Sequence, residues 1–431
     1  MHTLSPDRTR EPSVETVESV SLIHPEHFTL SNGIPVYAMP GGRQEVVRTE
    51  ILFTAGTSCQ QKALVASSCN NLMQEGTEKH DANALAEELD FYGAYLENDC
   101  NTDHASQTVY SLSKHFNPAL SLLSEIIAAP IFPDEEFDIY VHNAHQSFLT
   151  RNRKVSEIAS AEFHRMLFGG DNFYGYRLSE NDYHVLSNED VRSFYNRIIK
   201  QQLPTVVVSG RPPAGWEKTL DQLLGQLPIP GSSVQAQALV FPEAKPERKT
   251  VEKPDALQCA LRVGRRLFNK THPDYLPLSI VNTILGGYFG SRLMKNIRED
   301  KGYTYGIGSG LVSRKQGGFF YISSEVGADV AQDALKEIYH ELRVLATEPV
   351  SAEELELVKN YLLGQFLRGA DGVFSQTERF LAVHLYGLDY SYYDRYLQVI
   401  QRITPEEIMA LAAKYLMPES MSELVVGKTS A

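Results

Sequence analysis

The chain has 431 residues, 42% hydrophobic and 22% charged, and its 54 Asp+Glu against 40 Lys+Arg leave a formal charge of −14. This is a globular profile and excludes a disordered or low-complexity chain. With no block of Lys or Arg to displace counterions from phosphates, neither nucleic acid nor an anionic membrane is an expected partner.

Residues 1–27 are a polar leader broken by Pro6, Arg8, Arg10, Glu11, Pro12 and Glu15, without the apolar core of a signal peptide. Residues 28–38 read as two short strands around Ser31-Asn32-Gly33, and 46–55 as a third that stops at Gly56. Helices over 63–74 and 82–92 follow, then a strand over 105–112, a helix over 118–129 and a longer helix from Pro133. No apolar run is long enough to span a membrane. Cys59, Cys69, Cys100 and Cys259 lie far apart with no C-x-x-C, too sparse for a disulfide framework or a thiolate zinc site. A reducing, cytoplasmic location is the expectation.

After Pro254 the same order returns: a strand over 257–263, helices over 276–285 and 292–300, a strand over 318–326, and helices over 330–346 and 351–367. Phe132-Pro-Asp-Glu-Glu-Phe137 lies 218 residues before Val350-Ser-Ala-Glu-Glu-Leu355. At that offset Phe137, Tyr140, Ala144 and Phe148 pair with Leu355, Val358, Leu362 and Phe366, an apolar stripe on one helical face in each half. A duplicated domain therefore replaces the three domains that length alone suggests. The halves are expected at 28–229 and 253–431, joined by a Pro-rich, charged linker over 230–252. Strands and helices mix without a strict βαβ rhythm, an α+β pattern whose strand order periodicity leaves open.

The most unusual stretch is Leu285-Gly-Gly-Tyr-Phe-Gly-Ser-Arg-Leu-Met-Lys-Asn-Ile-Arg-Glu-Asp-Lys-Gly-Tyr-Thr-Tyr305. With Thr54-Ala-Gly-Thr57, Gln74-Glu-Gly-Thr77, Phe173-Tyr-Gly-Tyr176 and Leu186-Ser-Asn-Glu-Asp-Val-Arg-Ser-Phe-Tyr195, it resembles the pitrilysin/insulinase family of zinc peptidases over nearly all of 28–427. That resemblance implies two tandem, similar α+β domains, each a largely antiparallel sheet covered by helices. It also implies an H-x-x-E-H helix before Gly76-Thr77, in which two His hold zinc and a Glu activates water.

The positions for those three residues hold Ser67, Asn70 and Asn71. The family's third ligand, a Glu, falls near Gln146 or Ser147, where no carboxylate occurs. Ser and Asn are neither strong zinc ligands nor bases near neutral pH, so no catalytic residue and no metal is expected in this chain. Arg298 and Tyr305 match the family's Arg and the Tyr seven residues on, which implies a substrate-binding pair whose donors hold a peptide carbonyl. On their own they read as a surface Arg on a helix and a core Tyr at a strand start.

Other constellations are weaker. His142 and His145 stand i, i+3 on a predicted helix with no visible third ligand, and His80 and Asp103-His104 are isolated. Ser67-Ser68 has no paired His, and Gly286-Gly287-x-x-Gly290 reads as a helix-terminating turn rather than a phosphate loop. The inventory resembles the alpha-type partner in processing-peptidase heterodimers. The expectation is a non-catalytic, substrate-binding subunit that completes the site of a homologous, zinc-bearing peptidase subunit for peptide hydrolysis, zinc residing in the partner. The alternatives are a homodimeric peptide-binding or scaffolding protein, and a hydrolase with a relocated metal at His142 and His145.

Overall fold

A computed structural model of the chain describes residue 9 and residues 20–228, 238–243 and 245–428. The first half contributes strands β1 (Glu26–Thr29), β2 (Pro35–Pro40), β3 (Val46–Phe53), β4 (Tyr95–Cys100), β5 (Ala105–Leu112) and β6 (Thr205–Gly210). Its helices are α1 (Val65–Leu72), α2 (Ala82–Phe91), α3 (Phe116–Ala128), α4 (Asp134–Arg151), α5 (Val155–Phe168), α6 (Glu180–Val185), α7 (Asn188–Phe194) and α8 (Trp216–Leu223). The second half contributes β7 (Arg248–Glu252), β8 (Gln258–Leu267), β9 (Thr304–Arg314), β10 (Gly317–Gly327) and β11 (Ser422–Gly427). Its helices are α9 (Tyr275–Asn282), α10 (Ala331–Thr347), α11 (Ala352–Arg368), α12 (Val373–His384), α13 (Ser391–Arg402) and α14 (Pro405–Tyr415).

The strands form two sheets, ordered β1-β2-β6-β3-β5-β4 and β7-β11-β8-β10-β9. Apart from β1 the wiring is the same: the first and last strands of each half pair in parallel, and every other pair is antiparallel. This is the α+β architecture of two largely antiparallel sheets covered by helices. The 218-residue offset carries Asp134, first in α4, to Ala352, first in α11, and Val155, first in α5, to Val373, first in α12.

Each half lends one helix to the other. Ala159, Phe163, Leu167 and Phe168 of α5 are buried with Ala260, Phe319, Leu424 and Val426 of the second sheet. Val373, Phe380 and Leu381 of α12 are buried with Met39, Leu52 and Val207 of the first. Burying an apolar side chain of this size stabilises by about 1.5–3 kcal/mol, so the exchanged helices fasten the halves together. Arg48 of β3 adds a polar tie, reaching Glu50 at 2.6 Å and Glu378 of α12 at 2.5 Å.

Three expectations change on contact with the structure. Much of the polar leader lies outside the described residues, but Val20, Leu22 and Ile23 pack on the second half, and Ile23 donates its N–H to Gln376. The expected linker, partly outside the described residues, ends in β7, a strand paired with β11. Edge strands β4 and β9 were not expected: β4 carries three successive polar residues, Glu97-Asn98-Asp99, and β9 carries three glycines that weaken a strand pattern.

Candidate functional site

Helix α1 carries Ser67, Asn70 and Asn71, where the sequence resemblance puts the metal motif, and its polar side chains are spent inside the fold. Asn70 is 1% exposed; its Nδ2 donates to the carbonyls of Asp99 at 2.9 Å and Ser106 at 3.2 Å, at the ends of β4 and β5. Gln107 of β5, fully buried, donates to the Asn70 carbonyl at 2.6 Å and to Asn70 Oδ1 at 3.1 Å. The next residue, Asn71, donates to the carbonyl of Ser67 at 2.8 Å, and Ser67 Oγ donates to the carbonyl of Leu64 at 3.0 Å.

The α4 side chain that meets this face is Tyr140, which lies beside Ser68, Ser67 and Asn71 and whose hydroxyl is pushed up in pKa by burial. Gln146 and Ser147, expected at the third-ligand position, are exposed. These residues do not fit a zinc ion: the donor set is amide and hydroxyl, and it is committed to backbone carbonyls.

The surviving motif glycines have architectural reasons. A Cβ on Gly56 would stand 2.5 Å from the Asn101 and Thr102 backbone, where the turn after β3 meets the β4–β5 turn. A Cβ on Gly286 would stand 2.6 Å from Ser309 Oγ and 2.7 Å from its nitrogen, so this glycine lets a π-helical turn (Thr283–Gly287) lie directly on β9. Gly286 is therefore a packing residue, as the reading of a helix-terminating turn requires.

Arg298 sits on a second π-helical segment, Met294–Asp300, and Tyr305 at the start of β9. The two are brought together: the Arg298 guanidinium lies 5.4 Å from the Tyr305 ring centroid and 4.6 Å from that of Phe289. Tyr305 is 92% exposed and Phe289 64% exposed, so Tyr305 is not the core residue a lone strand-start Tyr would be. Phe289 is the member that residue-type reasoning missed, although it stands in the quoted Gly-rich stretch. Among the described residues Arg298, half-buried, makes no ion pair, and its guanidinium lies against two aromatic rings.

The base of this segment is rigid. Arg292 makes a two-pronged pair with Glu354 of α11, at 2.8 and 2.7 Å, and that pairing raises its pKa. Leu293 and Ile297 are fully buried.

The other expected residues take structural places. His80 Nδ1 lies 2.8 Å from Glu125, which also accepts from Thr77, closing the turn after Gly76; the Glu125 bond raises the pKa of His80. Asp103 accepts from the Tyr174 hydroxyl at 3.1 Å and from the Lys315 N–H at 2.9 Å, joining the β4–β5 turn to the β9–β10 turn, while burial lowers the pKa of His104 beside it. His142 is exposed and does not join His145, which faces α6 instead.

Two family models match the chain: "Insulinase (Peptidase family M16)" over residues 46–173 and "Peptidase M16 inactive domain" over residues 186–362. This chain belongs to the insulinase (M16) peptidase family. Among M16 relatives it is similar to an "Uncharacterized zinc protease YmxG" of Bacillus subtilis, 20% identical over 82% of this chain and 86% of that one. It is also similar to a "Non-peptidase homolog YmxG" of Helicobacter pylori, 21% identical over 78% of each. A solved M16 inactive domain from Pseudomonas fluorescens shares the fold, with TM-score 0.84 and 24% identity over 94% of this chain and 99% of that one. Within the M16 family this chain is of the inactive type, having lost the motif residues on α1. Among its described residues no helix is long and apolar enough to cross a membrane.

Proposed function

We propose that this chain is the non-catalytic, substrate-binding subunit of a heterodimeric insulinase-type metallopeptidase, working in the cytoplasm on peptides beside a homologous subunit that carries H-x-x-E-H. The observation that carries this reading is the contrast between α1, whose polar groups are consumed internally, and Arg298 with Tyr305, half-buried and exposed respectively, which make no ion pair or side-chain hydrogen bond among the described residues. An Arg fork and a phenol both donate to oxygen, so the pair suits a peptide carbonyl as negative charge grows on it. Edge strands β4 and β9 give an extended peptide free backbone groups to pair with, which supports peptide as the substrate class. On this reading 28–229 and 253–431 act as two similar domains, the second presenting the pair.

The test is reconstitution. The chain is mixed with the H-x-x-E-H homologue from the same cell and peptide hydrolysis is measured with wild type and Arg298→Ala. The expected result is activity only in the mixture, with Arg298→Ala lowering kcat tenfold or more and KM much less. A mixture without activity, or one indifferent to Arg298→Ala, overturns the reading and favours the homodimeric peptide-binding or scaffolding protein.

A further inference from the structure

The first-half helices assemble a side-chain cluster that the lost zinc motif does not involve. His145 of α4 meets Glu180 and His184 of α6, and one ligand-capable atom from each lies within 4.8 Å of the others. His145 Nε2 is 3.4 Å and His184 Nε2 4.0 Å from the same Glu180 Oε1. Four ligands placed tetrahedrally about 2.0–2.1 Å from a zinc ion stand about 3.4 Å apart, so the first spacing already matches and the second needs a small rotation of an exposed imidazole.

His145 Nε2 is buried and has no hydrogen-bond partner among the described residues, although Glu180 is close. A buried imidazole nitrogen is ordinarily satisfied, and one left open toward a carboxylate and a second imidazole is arranged as a ligand is. The geometry is held from behind. The His145 ring stacks on Tyr183 at 5.2 Å, and α6 is pinned by Asp182, which accepts from the Ser179 N–H, the Ser179 hydroxyl and the Tyr176 hydroxyl. Glu180 and His184 are i, i+4 on that short helix and so share one face.

We propose that His145, Glu180 and His184 bind a zinc ion that clamps α4 to α6. Two imidazoles and one carboxylate suit zinc and leave a fourth position for water. The site differs from the pair that sequence spacing suggests, since His184 and not His142 is the second imidazole.

Zinc titration of the full chain, read by competition with a chromophoric chelator, tests this without a partner subunit and so independently of the reconstitution. One site per chain is expected, with Glu180→Gln and His184→Ala each weakening it at least tenfold and His142→Ala changing it less than twofold. Glu180 and His184 are 59% and 63% exposed at their side chains, so both variants keep the fold. Saturating zinc is expected to raise the Tm of wild type and not of His184→Ala. Absence of zinc binding, or binding that survives either substitution at full strength, overturns the proposal.

Discussion

Helix α1 and the Arg298–Tyr305 segment are the two places to which the sequence resemblance assigns an insulinase-type peptidase's chemistry, and their side chains are used in opposite ways. On α1, the residue at the position of the catalytic base is Asn70, buried and bonded to three neighbouring backbone and side-chain groups. On the second half, Arg298 and Tyr305 stand on a base fastened by Arg292 and Glu354 and make no side-chain hydrogen bond among the described residues. A site that loses its chemistry is free to be absorbed into packing, whereas exposed aromatic rings around a cation gain little for stability and point to a use outside the chain.

The contrast is broken most severely at Asn70. Asn70→Ala takes the side-chain donor from the carbonyls of Asp99 and Ser106 and leaves Gln107 only the residue-70 backbone carbonyl, an expected loss of roughly 2 kcal/mol by urea denaturation. A loss under about 0.5 kcal/mol would mean that α1 is not a structural strut.

Glu50 sharpens the comparison because it is an inward polar group that titrates. Burial lifts its pKa to about 7, against the opposing pull of Arg48. The folded state therefore keeps a proton that the unfolded chain releases from about pH 4.5 upward, so stability falls as pH rises through that window and levels above about 7. Wild type is expected to lose roughly 2 kcal/mol between pH 5 and pH 8 that Glu50→Gln does not lose, measured by urea melts at both pH values. The same slope in both proteins would place the titration elsewhere.

Glu354→Gln weakens the two-pronged pair beneath the Arg298 segment, for an expected cost of about 1 kcal/mol that shrinks in high salt. The smallest effect belongs to the exposed pair itself: Arg298→Ala and Tyr305→Ala are expected to stay within about 0.5 kcal/mol of wild type. A larger cost at either would make the pair structural and erase its difference from α1.

Much of this was legible in sequence, and for identifiable reasons. The strand over 105–112 coincides with β5, and the repeat offset lands on the first residue of α11, because amphipathic periodicity and turn residues are local signals, whereas α5 and α12 were not read. The sequence expectation that Ser67, Asn70 and Asn71 stand at the motif's His and Glu positions rests on spacing, and it gave no sign that Asn70 bonds to β4 and β5, since those partners are distant in sequence. The exchange of α5 and α12 was equally hidden: an apolar stripe records that a helix packs, not on which sheet. The π-helical turn carrying Arg298 was read as an ordinary helix, since periodicity over so few residues does not separate the two. His145 was paired with His142 by i, i+3 spacing, whereas its real neighbours come from α6, brought there by tertiary packing.

The most direct measurement compares the two regions in one assay. In the mixture with the zinc-bearing homologue, turnover is determined for Arg298→Ala and for Asn71→Ala, which alters the α1 face without touching the buried Asn70. Arg298→Ala is expected to lower kcat tenfold or more while Asn71→Ala stays within twofold of wild type. Equal turnover in wild type and Arg298→Ala, or a collapse in Asn71→Ala with its fold intact, would contradict the assignment of the working surface to the second half.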